Sequence, residues 1–216
     1  MDRPPSKSVC VFDFDGTLVD SMGGFAELAA DLMAEHFGIP RDTARLDYLR
    51  TSGLPFFQQL EALRPGEAQN SKVAELFEAG KQADYFDRPF FSEVPSAIDE
   101  LQERGIRAVV SSNNGQELVE EYLQKKAKPR FDLVLGFKKN FSKGKAHFDR
   151  VLAHFGLQTK DMLFVGDSLH DAQQAAEFGV DFVGRVGTFS AAQFQEVHPE
   201  LRTVRGLDEL TRVLCK

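Results

Sequence analysis

Val9-Cys10-Val11-Phe12-Asp13-Phe14-Asp15-Gly16-Thr17-Leu18 is an apolar run that stops abruptly at two carboxylates and a glycine. Such a run reads as a buried strand that carries acids to the edge of a sheet. Side chains alternate across a strand, so Asp13 and Asp15 can both face the crevice beyond its carboxyl end while Phe14 points away, and Gly16 lets the chain leave in a tight turn. Two acids in different environments can divide the work of nucleophile and proton donor, which marks this stretch as a place for chemistry.

Downstream of it the periodicity changes. Phe25, Leu28, Ala29, Leu32, Met33 and Phe37 recur on one helix face, predicting a helix over 24–37 that Gly38 and Pro40 stop. Shorter helical patterns follow at 56–63 and 72–82, separated by Arg64-Pro65-Gly66, and no convincing strand lies between residues 21 and 91. The segment therefore reads as a small all-helical insert, residues 21–91, with residues 1–20 and 92–216 forming a second domain.

That second domain alternates helices with branched, apolar strands. Ser96 and Asp99 suggest a capping box for a helix ending at Gly105. Strands are predicted at 106–110, 131–136, 162–165 and 180–183, with helices at about 116–126, 143–155, 169–178 and 207–214; residues 184–205 stay unassigned. The pattern predicts an α/β fold with a doubly wound, Rossmann-like parallel sheet covered on both faces, whose ligands collect beyond the carboxyl ends of the strands. Phe56, Phe57, Phe86, Phe90 and Phe91 are expected to pack the insert and its hinges.

Composition narrows the functional classes. The chain has 216 residues, 42% of them hydrophobic and 27% charged, enough to bury a core. A net charge of −7 argues against nucleic acid as a partner, because backbone binding needs clustered cations; Lys125, Lys126 and Lys128 read as a solvated helix face. No run of about 18 apolar residues indicates a membrane span, and Met1 to Pro5 carry no signal-peptide pattern. Cys10 and Cys215 stand at opposite ends of the chain, which suggests a reducing compartment and a cytoplasmic location.

A second acidic cluster, Val165-Gly166-Asp167-Ser168-Leu169-His170-Asp171, repeats the theme of a strand ending in acids. Asp and Ser also cap helices routinely, so capping competes with function as its explanation. Two such clusters in one α/β chain point to a shared crevice. Carboxylates about 4 Å apart repel by roughly 4 kcal/mol at an effective dielectric of 20, so a cation is needed between them. An oxygen-only donor set suits Mg²⁺; zinc is disfavoured because His36, His147, His154, His170 and His198 show no ligand spacing and read as surface or packing residues. Ser111-Ser112-Asn113-Asn114-Gly115 ends another strand with small hydrogen-bonding groups suited to phosphate oxygens, and Ser142-Lys143-Gly144-Lys145 can add positive charge.

In this order the four pieces resemble the haloacid dehalogenase-like superfamily: Asp-x-Asp-Gly-Thr at Asp13 to Thr17, a serine at Ser111, a lysine near Lys143, and Asp167 with Asp171. The helical insert is similar to the cap of its phosphoglycolate phosphatase and β-phosphoglucomutase branch. The resemblance implies an enzyme in which Asp13 attacks phosphorus and Asp15 acts as general acid and base. It implies Mg²⁺ held by Asp13, Asp167 and the backbone carbonyl of Asp15, with Asp171 nearby, and Ser111, Ser112 and Lys143 on the phosphoryl group. Gly144 replaces the proline that usually follows the motif lysine, which leaves Lys145 as an alternative to Lys143. Retention of Asp15 leaves phosphatase and phosphomutase as the enzymatic readings, with a phosphoacceptor or binding module as the non-catalytic one. The substrate implied is a small phosphorylated metabolite, with Arg50 and Gly53, in the loop 50–56, as candidate specificity residues.

Overall fold

The computed structural model describes residues 6–214, so Cys215 lies outside the described residues. The chain divides into two compact units, residues 1–19 with 90–216, and residues 20–89. In chain order the regular elements begin with β1 (Val9–Phe12), α1 (Met22–Phe37), α2 (Arg41–Arg50), α3 (Phe56–Leu63), α4 (Asn70–Asp84), α5 (Val94–Glu103), β2 (Arg107–Gly115) and α6 (Gln116–Lys126). They continue with β3 (Leu133–Phe137), α7 (Lys145–Phe155), β4 (Met162–Gly166), α8 (Leu169–Phe178), β5 (Asp181–Arg185), α9 (Ala191–Val197), β6 (Arg202–Val204) and α10 (Leu210–Leu214).

The larger unit holds a six-stranded sheet of order β3-β2-β1-β4-β5-β6, with every neighbouring pair parallel. All four residues of β1 are fully buried, as a strand covered on both faces requires. Alternation then sorts its side chains: Val9 and Val11 join Val109, Phe148, Val151, Met162, Phe164 and Ala175 in one core layer. Phe148 anchors that layer, its ring 5.0 Å from Phe164 and 5.4 Å from Phe178.

Strand order reverses at β1, so β1 and β4 flank the switch point where an open α/β sheet forms its crevice. Their register pairs Phe12 with Val165, and the Asp13 amide donates to the Val165 carbonyl at 2.8 Å. This pairing brings the two acid-tipped strand ends level. Gly16, at φ 80°, turns the chain back: Leu18 and Val19 amides both donate to the Phe14 carbonyl at 2.9 Å.

The smaller unit is helical, with α1 to α4 around an aromatic cluster. Phe77 meets Phe56 at 4.2 Å, Tyr48 at 5.5 Å and Phe25 at 6.2 Å between ring centroids. α2 went unread in the sequence because only Ala44 and Tyr48 are buried on it. Its exposed face carries ion pairs to α1: Arg41 with Glu27 and Asp31, and Arg45 with Glu27. Phe57 is 44% exposed rather than packed.

Other expectations need correction. α5 begins before Ser96, whose hydroxyl donates to the Glu93 carbonyl at 3.0 Å, so no capping box forms there; Pro95 in the first turn sets the start instead. β2 runs on through the polar stretch to Gly115, with a register shift against β3 between Ser111 and Gly115. Residues 184–205 supply the end of β5, then α9 and β6. No described helix is long and apolar enough to cross a membrane. Phe148→Ala should cost about 3–5 kcal/mol of stability in urea unfolding, through lost burial and a cavity. A loss under about 1 kcal/mol, the scale of an ordinary substitution, would contradict its anchoring place.

Candidate active site

Asp13, at the end of β1, and Asp167 and Asp171, after β4, each place a carboxylate oxygen within 4.8 Å of the others, and all three residues are buried. Lys143 joins them from the loop before α7. Its ammonium lies 2.7 Å from Asp13 Oδ1 and 2.7 Å from Asp171 Oδ1. Lys145 is turned to the surface, where it pairs with Asp149 at 2.7 Å.

Gly144 explains why. At φ 99° it adopts backbone that L residues avoid, and a Cβ there would lie 2.6 Å from the Gln174 side chain. The turn sends Lys143 inward and Lys145 outward. Proline, fixed near φ −65°, could not replace it.

Each acid has further support. Thr17 Oγ1 donates to Asp13 Oδ2 at 3.3 Å, and the Thr188 hydroxyl bonds Asp167. Ser168 caps α8, accepting from the Asp171 amide at 3.1 Å, while its hydroxyl donates to Asp171 Oδ2 at 2.7 Å. Capping and site-building are thus the same contact in the second acidic cluster. The Asp15 carboxylate is not one of the clustered three; it accepts from Asn114 Nδ2 at 2.6 Å.

The polar end of β2 ties the remaining parts together. Ser111 Oγ lies 2.9 Å from His147 Nδ1, Ser112 Oγ accepts from the Asn114 amide at 3.0 Å, and Asn113 Oδ1 accepts from the Lys143 amide at 3.2 Å. His147 is therefore neither a surface residue nor plain packing: it is fully buried against a candidate site residue. Arg50 and Gly53 lie in the helical unit, where Arg50 is exposed and pairs with Asp47 at 3.0 Å, and Gly53 turns at φ 95°.

Crowded, dry carboxylates resist ionisation. Burial pushes Asp13 up to about 7; the Lys143 charge opposes this, and Asp171 and Asp15 add to it. Burial and the charges of Asp13 and Asp171 raise Asp167 well above the carboxylate range. Burial also works against the Lys143 charge, but Asp13 and Asp171 outweigh it and hold the ammonium protonated. His147 is pushed down to about 4 by burial and the Lys143 charge, against a weak opposing contact with the Gly136 backbone, so it is neutral near pH 7. Burial likewise raises the Cys10 thiol to about 12, which makes it inert.

An oxygen-only donor set with more negative charge than Lys143 balances fits a hard divalent cation such as Mg²⁺. Asp13, Asp167 and Asp171 are the side chains that could hold one.

Residues 10–185 match the haloacid dehalogenase-like hydrolase family. The chain belongs to this family. Among its relatives, phosphoglycolate phosphatase of Synechococcus elongatus is 26% identical over 194 residues, covering 85% of each chain. Tyrosine-protein kinase PtkA of Mycobacterium tuberculosis is 27% identical over 188 residues, which cover 82% of this chain and 62% of that protein's length. A haloacid dehalogenase-like hydrolase of Streptococcus pneumoniae superposes with a TM-score of 0.80 at 19% identity, over 96% of this chain and 99% of its own, a likeness of fold.

The raised carboxylates of this haloacid dehalogenase-like site carry a signed consequence for stability. A carboxyl held at about 7 in the native state, against an ordinary 3.8, binds its proton more tightly when folded. Its stabilising contribution is complete below the unfolded value and is lost as pH rises through the native one. Lys143, raised from an ordinary 10.5, changes nothing in that window because its contribution is lost only in more alkaline solution. In EDTA, the urea midpoint of the wild type should fall between pH 4 and pH 7, and Asp13→Asn should flatten part of that fall. Parallel profiles for the two proteins would contradict the shift at Asp13.

Proposed function

We propose that the chain is a Mg²⁺-dependent phosphatase that hydrolyses a small phosphomonoester through an aspartyl-phosphate on Asp13. One observation carries this reading: Asp13 ends the central strand beside Asp167, with Lys143 bridging Asp13 and Asp171 in the same buried cluster. The family membership and the activity named for the Synechococcus relative support it.

Asp13 is the nucleophile. One of its carboxylate oxygens bonds to phosphorus as the ester oxygen departs, and Asp15 gives that oxygen a proton. Asp15, now ionised, takes a proton from water as the water oxygen attacks the acyl phosphate; orthophosphate leaves and Asp13 is regenerated. Lys143 and the Ser111 hydroxyl hold phosphoryl oxygens, with Ser112 shaping the same loop. Asn114, donating to Asp15, fixes where the proton is given and taken. Asp13, Asp167 and the Asp15 carbonyl would hold Mg²⁺, with Asp171 behind them; the bound ion would supply positive charge that keeps Asp13 ionised and neutralises phosphoryl oxygens. Positioning and charge do most of the work in such a transfer.

In this reading residues 21–91 form a helical cap domain inserted after the first motif, and the loop containing Arg50 and Gly53 contributes to substrate choice. The substrate is a small phosphorylated metabolite, and phosphorylated short acids are the first class to assay. The protein should release phosphate from p-nitrophenyl phosphate with Mg²⁺, and Asp13→Asn should lower kcat on the order of a thousandfold or more, as loss of a nucleophile does. Excess EDTA should abolish turnover and Mg²⁺ should restore it. Equal rates in EDTA would defeat the metal assignment, and an active Asp13→Asn would defeat the nucleophile.

A further inference from the structure

We propose that His147 is a positioning residue of the phosphoryl site, acting through the Ser111 hydroxyl. The inference rests on the phosphatase reading for what Ser111 does, and on geometry for how His147 acts. Both side chains are fully buried, and Ser111 Oγ lies 2.9 Å from His147 Nδ1, a full-strength hydrogen bond. The bond crosses from the end of β2 to the first turn of α7. The imidazole is itself wedged against Phe141, ring centroids 4.5 Å apart, which leaves it little freedom to swing.

The chemistry of the pair suits its place. A hydroxyl has one proton to give, and a phosphoryl oxygen accepts only. A serine that donates to phosphate needs a neighbour willing to donate to the serine oxygen; a serine awaiting substrate needs a neighbour that accepts. Neutral imidazole can do either, depending on which nitrogen carries its proton, so the oxygen of Ser111 stays in one position whichever way its own proton points. Threonine or water could partner Ser111, but neither reaches it from α7 while also filling the space against Phe141. Burial and the Lys143 charge keep the ring neutral across the working range of such an enzyme.

α7 therefore sets two parts of the site together. Lys143, just before the helix, reaches the acids, and His147 reaches the serine. A shift of α7 would displace both. Displacements of about 1 Å can cost up to a hundredfold in rate.

A double-mutant cycle on p-nitrophenyl phosphate with Mg²⁺ tests the proposal, using His147→Leu, His147→Asn, Ser111→Ala and the Ser111→Ala/His147→Leu pair. His147→Leu should lower kcat about tenfold with less than about a threefold change in KM, the split of a group that aligns more than it binds. The amide nitrogen of asparagine stands near the place of Nδ1, so His147→Asn should recover most of the loss. In the Ser111→Ala background, His147→Leu should change kcat less than about twofold, because coupled residues are non-additive. Multiplying effects, wild-type kinetics in His147→Leu, or equal damage in His147→Asn would each overturn it. If the wild type hydrolyses nothing, the phosphatase reading falls, and the same cycle on affinity for inorganic phosphate with Mg²⁺ decides the positioning role: coupling supports it, and additivity or no binding overturns it. If His147→Leu does not fold, the imidazole ¹⁵N spectrum decides: Ser111→Ala must shift Nδ1, and an unmoved signal overturns the proposal.

Discussion

Three buried carboxylates brought within reach of one another are the constraint around which the larger unit is arranged. Unit charges about 4 Å apart repel by roughly 4 kcal/mol at an effective dielectric of 20, and burial adds to the cost of ionising each. The chain tolerates the arrangement because Lys143 reaches two of the three acids at 2.7 Å, and because hydroxyls from Thr17, Ser168 and Thr188 each bond an acid. The negative charge that Lys143 leaves unbalanced suits a divalent cation.

Backbone geometry makes the gathering possible. Parallel pairing of Phe12 with Val165 sets β1 and β4 level at the switch point, so residues next in each chain emerge side by side. The end of β2 supplies the lateral ties, through Ser111 to His147, Asn113 to the Lys143 backbone and Asn114 to Asp15. These three residues lie within the β2 segment that shifts register against β3, where an irregular strand can aim successive side chains in different directions.

Much of this was legible in the sequence for physical reasons. The strand holding Val9 to Phe12 announced itself because a strand buried on both faces must be apolar throughout, and α3, at residues 56–63, because its apolar face repeats with the helical period. Asp13, Asp167, Asp171 and Lys143 were legible because charged groups at strand ends and loop turns have few reasons to be there otherwise. α2 was hidden because only Ala44 and Tyr48 are buried on it, too few to make an apolar stripe. Ser96 misled because a serine near a helix start can as readily donate backward to a carbonyl as cap forward. His147 and Thr188 were missed, and so was the link from Asn114 to Asp15, because the partners are 36, 21 and 99 residues away and hydrogen bonds across such distances leave no local pattern.

The most direct measurement of whether this acidic cluster is a phosphoryl-transfer centre is chemical trapping. Protein turning over a phosphomonoester is quenched in acid, reduced with borohydride and mapped by peptide mass spectrometry. An acyl phosphate on Asp13 is reduced to homoserine, and homoserine at that position alone is the expected result. Steady turnover with Asp13 recovered intact, or reduction at a different carboxylate, would contradict it.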